Sequence, residues 1–191
     1  MKRQISRLII ILLLIFPIGI SCSGKTAKSS EGAEDISALL PGDDEIPGWK
    51  KSGGVLLASS DRELFQFLDG GVPLYIQHGF QSYIGQIYKG PQGVELEVAI
   101  YDQGSPKNAR DLYEDPLIKP NPCKSLKNLG EKARLDERGL FHHSVEFIQD
   151  RFFGRVIIQD KSEEGLETAK RFVSPIVSKV KGLKKFPGSS P

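Results

Sequence analysis

Histidines and cysteines are the side chains best suited to bind a metal or to attack a substrate, and this chain has few of them. Its 191 residues include 3 histidines and 2 cysteines. His142 and His143 are adjacent in a stretch that alternates like a strand, so their side chains point to opposite faces and do not easily share one metal ion. A metal site would need His78 and carboxylates to converge from distant parts of the sequence. We therefore predict no metal site and no cofactor.

Nucleophiles and paired carboxylates give no catalytic pattern either. Cys123 follows Pro120-Asn121-Pro122, a loop-like stretch without the helix terminus that would lower a thiol pKa, so we interpret it as an inert or partly buried thiol. Glu95 and Glu97 share one face of a predicted strand, where charge more often serves solubility or a rim contact. No nucleophile elbow, phosphate loop or dinucleotide fingerprint occurs in the sequence. We predict no catalytic residues.

The first residues have the pattern of a secretory signal. Lys2, Arg3 and Arg7 precede an uninterrupted apolar run over residues 8–20. A helix of that length spans about 20 Å, whereas the hydrocarbon core of a bilayer is about 30 Å thick. A basic start, a short apolar core and a small residue before a cleavage site are typical of an export signal that is removed.

The end of this signal resembles the lipobox of bacterial lipoproteins. The residues are Ile18-Gly19-Ile20-Ser21-Cys22, with Gly19 in place of the usual leucine. The resemblance implies cleavage between Ser21 and Cys22 and lipid attachment to the Cys22 sulfur, which would anchor the protein in a membrane. Ser23 after the lipidated cysteine resembles the outer-membrane sorting pattern of Gram-negative lipoproteins, with the domain facing the periplasm. The alternative is an ordinary signal peptide in which Cys22 is incidental.

Composition excludes several classes of function. Removal of residues 1–21 removes three basic residues and no acidic one, which leaves 23 Lys and Arg against 24 Asp and Glu. A chain so close to neutrality has no electrostatic footprint for nucleic acid, and we predict no nucleic-acid partner. If Cys22 is acylated, Cys123 has no partner for a disulfide, so stability must come from an apolar core.

Hydrophobic periodicity predicts one α+β domain, an antiparallel sheet built from hairpins with helices packed on one face and polar side chains on the other. The predicted hairpins are Phe80–Tyr88 with Gly93–Asp102, and Leu140–Gln149 with Phe152–Gln159, with one further strand near Glu131–Leu135. The predicted helices begin at Ser60, Val72, Ser105 and Ser162, the last with an interruption at Ser174-Pro175. The predicted divisions are a signal (1–21), a flexible tether (22–38), the domain (39–184) and a disordered tail (185–191).

Four phrases in the domain resemble an uncharacterised family of exported bacterial proteins. They are Ile46-Pro47-Gly48-Trp49, Glu63-Leu64-Phe65-Gln66-Phe67-Leu68-Asp69-Gly70-Gly71, Leu74-Tyr75-Ile76-Gln77-His78-Gly79-Phe80 and Tyr101-Asp102-Gln103-Gly104-Ser105-Pro106-Lys107-Asn108-Ala109. The resemblance implies one exported domain and no known activity.

The same phrases have a structural and a functional interpretation. In the structural one, Trp49 packs the entrance of the domain against the sheet and Asp69 caps the second helix. In the functional one, Trp49, Asp69, Tyr75 and His78 line a pocket.

The leading functional hypothesis is a non-catalytic, lipid-anchored module of the bacterial envelope that binds an unknown envelope protein or a small ligand. One alternative is an envelope hydrolase or metal-dependent enzyme, which a cleft uniting Asp69, His78 and His143 would favour. The other alternative is a carrier of lipid or other apolar cargo, which predicts a large apolar cavity.

Overall fold

The computed structural model describes residues 36–68 and 70–183. The strands are β1 (Lys50–Ala58), β2 (Ser82–Lys89), β3 (Glu95–Asp102), β4 (Cys123–Leu126), β5 (Lys132–Asp136), β6 (His143–Gln149) and β7 (Phe152–Ile158), and the helices are α1 (Asp61–Phe67), α2 (Val72–Gln77), α3 (Pro106–Glu114) and α4 (Glu163–Gly182). The predicted signal, Cys22, Asp69 and the predicted tail after residue 184 lie outside the described residues.

All seven strands form one antiparallel sheet in the order β1-β2-β3-β7-β6-β5-β4. Both predicted hairpins are confirmed, as β2–β3 and β6–β7, and β5 coincides with the further strand that the sequence predicted. The pairing of β3 with β7 joins the two hairpins and places β1 and β4 at the two edges. The predicted α+β class is therefore confirmed.

Local side-chain caps begin three of the helices where the sequence predicted. The hydroxyl oxygens of Ser60, Ser105 and Ser162 accept hydrogen bonds from the backbone three residues further along. Each cap satisfies an amide that has no partner inside its helix. The last helix continues through Pro175 and is not divided there, since Ile176 and Val177 beyond the proline remain buried against the sheet.

One face of the sheet carries a large apolar core beneath α4, and we call it the α4 face. Leu96, Val98 and Ile100 of β3 point to this face, as their alternation predicts. Phe172 of α4 lies against them and makes edge-on ring contacts with Trp49, at 5.3 Å between centroids, and with Tyr88, at 4.9 Å. Burial of these rings is a principal source of stability on this side.

The opposite face is also covered, which corrects the prediction that the helices lie on one face only. Helices α1, α2 and α3 pack on this three-helix face, and its core includes Tyr83, Tyr101 and Phe153. The prediction failed because Ala99 and Tyr101 share the face of β3 that carries Glu95 and Glu97, and yet a small residue and an aromatic ring are well suited to burial under a helix. Tyr75 of α2 stacks on Tyr101 with 4.3 Å between ring centroids.

Two edge strands were missed. β1 contains Gly53 and Gly54 at a break in its register with β2, which removes the alternation that marks a strand. β4 is only four residues long and mostly polar. The packed part of the chain includes Ile36, which is buried in the α4-face core.

Close packing at Gly154 gives a test of this fold. Gly154 lies directly opposite Phe147, and a Cβ added there would overlap the Phe147 ring in the α4-face core. We expect Gly154→Ala to lower the free energy of unfolding by about 1–3 kcal/mol, the usual cost of overpacking.

The measurement is urea denaturation, with Gly54→Ala as the matched control. A Cβ at Gly54 meets nothing within 4 Å, so that change should stay within about 0.5 kcal/mol of the parent protein. Equal stability of the two variants would contradict the described packing of β6 against β7.

Candidate functional site

A row of buried charges crosses three neighbouring strands on the three-helix face. Arg134 of β5, Glu146 of β6 and Arg155 of β7 lie directly opposite one another in the strand register. Arg134 Nε lies 2.7 Å from Glu146 Oε2, and Arg155 Nη2 lies 3.0 Å from Glu146 Oε1. The side chains of Arg134 and Glu146 are 3% and 2% exposed, and that of Arg155 is 29% exposed.

This row also holds helix α3 on the sheet. Arg134 Nη1 donates a hydrogen bond to the backbone oxygen of Tyr113, near the end of α3. The Arg134 guanidinium lies 3.9 Å from the centroid of the Tyr113 ring, a cation–π arrangement. Because Glu146 accepts from both arginines, its buried carboxylate is neutralised by two guanidinium groups. The row is therefore first of all a structural device.

A groove opens beside the row, between the end of α3 and the β4–β5 hairpin. Its volume is about 610 Å³. The lining side chains are mixed in polarity, and basic groups outnumber acidic ones; they come from Tyr113, Glu114, Lys119, Cys123, Ser125, Leu126, Lys127, Asn128, Leu129, Gly130, Glu131, Lys132, Ala133 and Arg134. That volume is in the range of small-molecule sites. Tyr113 and Arg134 belong both to the groove and to the packing of α3.

The rim of the groove stabilises negative charge. The Glu114 carboxylate lies between two ammonium groups, 2.7 Å from Lys132 Nζ and 3.1 Å from Lys119 Nζ. The hydrogen bond from Lys132, with that from Lys119, holds the pKa of the Glu114 carboxyl below its ordinary value. The second acidic lining residue, Glu131, uses its carboxylate to accept from the Asp150 amide in the β6–β7 turn. The lysines therefore dominate the electrostatics of the rim.

The predicted pocket residues are not brought together. Trp49 lies in the α4-face core and Tyr75 in the three-helix core, on opposite sides of the sheet. The structural interpretation of Trp49 is thus the one that its contacts support. The fourth residue of that set, Asp69, lies outside the described residues, and the N-cap position of α2 is Gly71, whose φ of 72° suits glycine.

The histidines hold separate structural positions. His78 ends α2, and its Nε2 donates to Asp115 Oδ2 at 2.9 Å, an interaction that keeps the pKa of the Asp115 carboxyl below its ordinary value. His143 lies on the α4 face, where its Nε2 donates to the backbone oxygen of Ser162. His78 and His143 are thus far apart in the fold. No group of three or more metal-ligating side chains occurs among the residues that the structure describes.

The charged row and the groove were missed in the sequence because both depend on strand register. Residues 121–139 are mostly polar and carry little local signal beyond the one predicted strand, and Glu146 alternates with apolar residues as a solvated side chain would. One local signal remains in β7. Arg155 shares its strand face with Phe153 and Ile157, which indicates that this arginine is directed to a covered face. Cys123, which is partly buried and has a free thiol, lines the groove.

Comparison with known proteins adds little. No family model matches the chain, so the family resemblance stays a prediction. No curated protein matches its sequence. A solved structure with a similar backbone is the crystal structure of the extracellular domain of PknH from Mycobacterium tuberculosis, at a TM-score of 0.48 and 13% identity, over 78% of this chain and 96% of that chain. At this similarity nothing is transferred from it. None of the helices in the described ranges is long and apolar enough to cross a bilayer.

We expect a large loss of stability when the Glu146 carboxylate, at the centre of the buried row, is replaced by an uncharged amide. Glu146→Gln leaves two arginines without a counter-charge, one of them almost fully buried. Breaking such a pair costs about 3–5 kcal/mol, and we expect a loss near the lower end because Arg155 keeps some contact with solvent.

Urea denaturation measures this loss, and Glu167→Gln is the matched control. Glu167 pairs with Lys170 on the solvent side of α4 with 62% of its side chain exposed, so its replacement should cost less than about 1 kcal/mol. A loss of that same small size for Glu146→Gln would contradict the structural role of the row.

Proposed function

We propose that this chain is a lipid-anchored protein of a bacterial envelope, and that its domain acts by binding a ligand at the groove between α3 and the β4–β5 hairpin. The anchor is carried by the lipobox-like Ile18-Gly19-Ile20-Ser21-Cys22. In a cell with two membranes, Ser23 favours the outer membrane, with the domain facing the periplasm. Two or more acyl chains on one cysteine hold a protein firmly, at about 0.8 kcal/mol per buried methylene.

The contacts of the buried titratable groups support a function in binding without catalysis. Glu146 neutralises Arg134 and Arg155 within the sheet. His78 is engaged with Asp115, and His143 is engaged with the start of α4. Catalytic acids and bases must be free to exchange a proton with a substrate in a cleft. These groups instead connect one element of the fold to another.

The groove is suited to a small polar ligand that carries a negative charge. The single observation that carries this proposal is Glu114, whose carboxylate already lies between Lys119 and Lys132 with a lowered pKa. A ligand carboxylate or phosphate would meet the same two ammonium groups, with Lys127 nearby on the lining. The partly apolar floor would contribute contact area beneath the charged rim.

The anchor is tested by replacing the lipidated cysteine. We expect Cys22→Ala to move the protein from the membrane fraction to the soluble fraction of disrupted cells, because the lipobox-like site loses the thiol that would accept the lipid. Cys123→Ala is the matched control and should stay with the membranes. Intact mass of the membrane-extracted parent protein should correspond to a chain that begins at Cys22 with acyl groups. An unmodified cysteine in that mass would contradict the proposal.

The groove is tested by ligand-dependent thermal stability of the full chain in mild detergent. The probes are inorganic phosphate, acetate, succinate and glycerol phosphate at millimolar concentration. A ligand present at one hundred times its dissociation constant stabilises a protein by about 2.7 kcal/mol. We expect at least one probe to raise the melting temperature of the parent protein but not that of Lys132→Ala.

Lys170→Ala is the control for this experiment, because Lys170 lies on α4 across the sheet and forms only a local pair with Glu167. It should respond to the probe as the parent protein does. Equal stabilisation of Lys132→Ala and Lys170→Ala would exclude the groove as the binding site. No stabilisation by any probe would contradict the anionic character assigned to the ligand.

A further inference from the structure

Exposed apolar side chains are concentrated at one edge of the sheet. Among the described residues, the large hydrophobic side chains that are exposed fall at three places. Leu117 is isolated, and Leu140 and Phe141 form the tip of the β5–β6 loop. The remaining five belong to β1 or to elements that contact it: Val55, Leu56, Leu57, Phe65 and Ile87.

This edge is a strand whose outer side pairs with no other strand in the described part of the chain. β1 is the first strand in the sheet order and pairs with β2 alone. Natural edges are usually blunted by charges or by bulges, because an open backbone edge is a template for another strand. Here the lysines lie at the start of β1, and the irregularity between Ser52 and Leu56 lies in the middle of the strand. The segment from Leu56 to Ala58 pairs regularly with β2 and is apolar.

The charged and apolar residues of β1 are placed so that two antiparallel copies of the strand would complement each other. Lys50 and Lys51 begin β1, and Asp61 follows its end at the start of α1. Leu56 is equally distant in sequence from Lys51 and Asp61. If two copies of β1 pair antiparallel about Leu56, Lys51 of each copy lies near Asp61 of the other, while Val55 and Leu57 face each other across the axis. Like charges would face each other in a parallel arrangement.

We propose that β1 pairs with β1 of a second copy of this chain, so that two seven-stranded sheets form one continuous sheet across a two-fold axis near Leu56. A symmetric interface must be complementary to itself, and the central apolar segment with opposite charges at its two ends meets that requirement. Attachment of both copies to one membrane would raise their effective concentration. The residues between Cys22 and Ile36 can span at most about 45 Å, enough for both domains to lie side by side.

The proposal is tested by cysteine crosslinking in native membranes with the full-length protein. The background is Cys123→Ala, and the test variant adds Leu56→Cys, which brings two thiols together at the axis. Mild oxidation followed by a non-reducing gel should give a band at twice the monomer mass. Phe141→Cys, at a position that is 81% exposed, is the matched control and should give no comparable band.

A charge exchange tests the antiparallel register. Lys51→Glu in the Leu56→Cys background should reduce the dimer band about two- to fivefold, the range of a cross-strand ion pair. Adding Asp61→Lys should restore it. Limited proteolysis of each variant confirms that the domain remains folded.

Two other outcomes would overturn the proposal. One is a Leu56→Cys band no stronger than that of Phe141→Cys. The other is an adduct whose mass does not correspond to two copies, since it would place a different protein on this edge. A dimer band whose intensity changes with neither Lys51→Glu nor the added Asp61→Lys would overturn the antiparallel register.

Discussion

The pairing of β3 with β7 is the constraint on which the rest of the structure depends. The two strands lie far apart in sequence and come from separate hairpins, and their seven registered pairs, from Leu96 with Ile158 to Asp102 with Phe152, join those hairpins into one sheet. Once joined, both strands are central and lose their access to solvent at the edges. Each must then present side chains that can be buried on both faces, which is the pattern of a two-sided sheet.

The two faces meet that requirement in different ways. The α4 face is largely apolar and is covered by one long helix and the segment before β1, with Trp49 against Phe172. On the other face, three short helices cover the aromatic rows, and the charged row of Arg134, Glu146 and Arg155 lies beside them. Short helices bury less area than a long one, and the pairing of buried charges there fixes α3 to the sheet through Tyr113. Ion pairs and hydrogen bonds thus supplement apolar burial on the face where the helices bury less area.

Local signals were sufficient for much of the fold, because they act within a few residues. The alternation of Val94, Leu96, Val98 and Ile100 predicted β3 correctly, and serine caps predicted the starts of three helices. Contacts that depend on which strands pair, and in what register, could not be predicted from local sequence. Nothing in the residues around Glu146 indicates that an arginine of β5 and another of β7 lie directly opposite it, so the burial of this carboxylate could not be predicted from local sequence. The positions of Trp49 and Tyr75 depend on register too, since they lie on opposite faces of a sheet whose pairing the sequence does not state.

The sheet order separates the proposed groove from the proposed dimer edge. The groove lies at the β4–β5 end and the dimer edge is β1, so the whole width of the sheet lies between them. Pairing through β1 would leave both grooves open at the outer ends of a fourteen-stranded sheet. At about 4.8 Å per strand they would lie roughly 60 Å apart. Such an arrangement favours a ligand with repeated anionic groups, because engagement of the second groove would then be intramolecular.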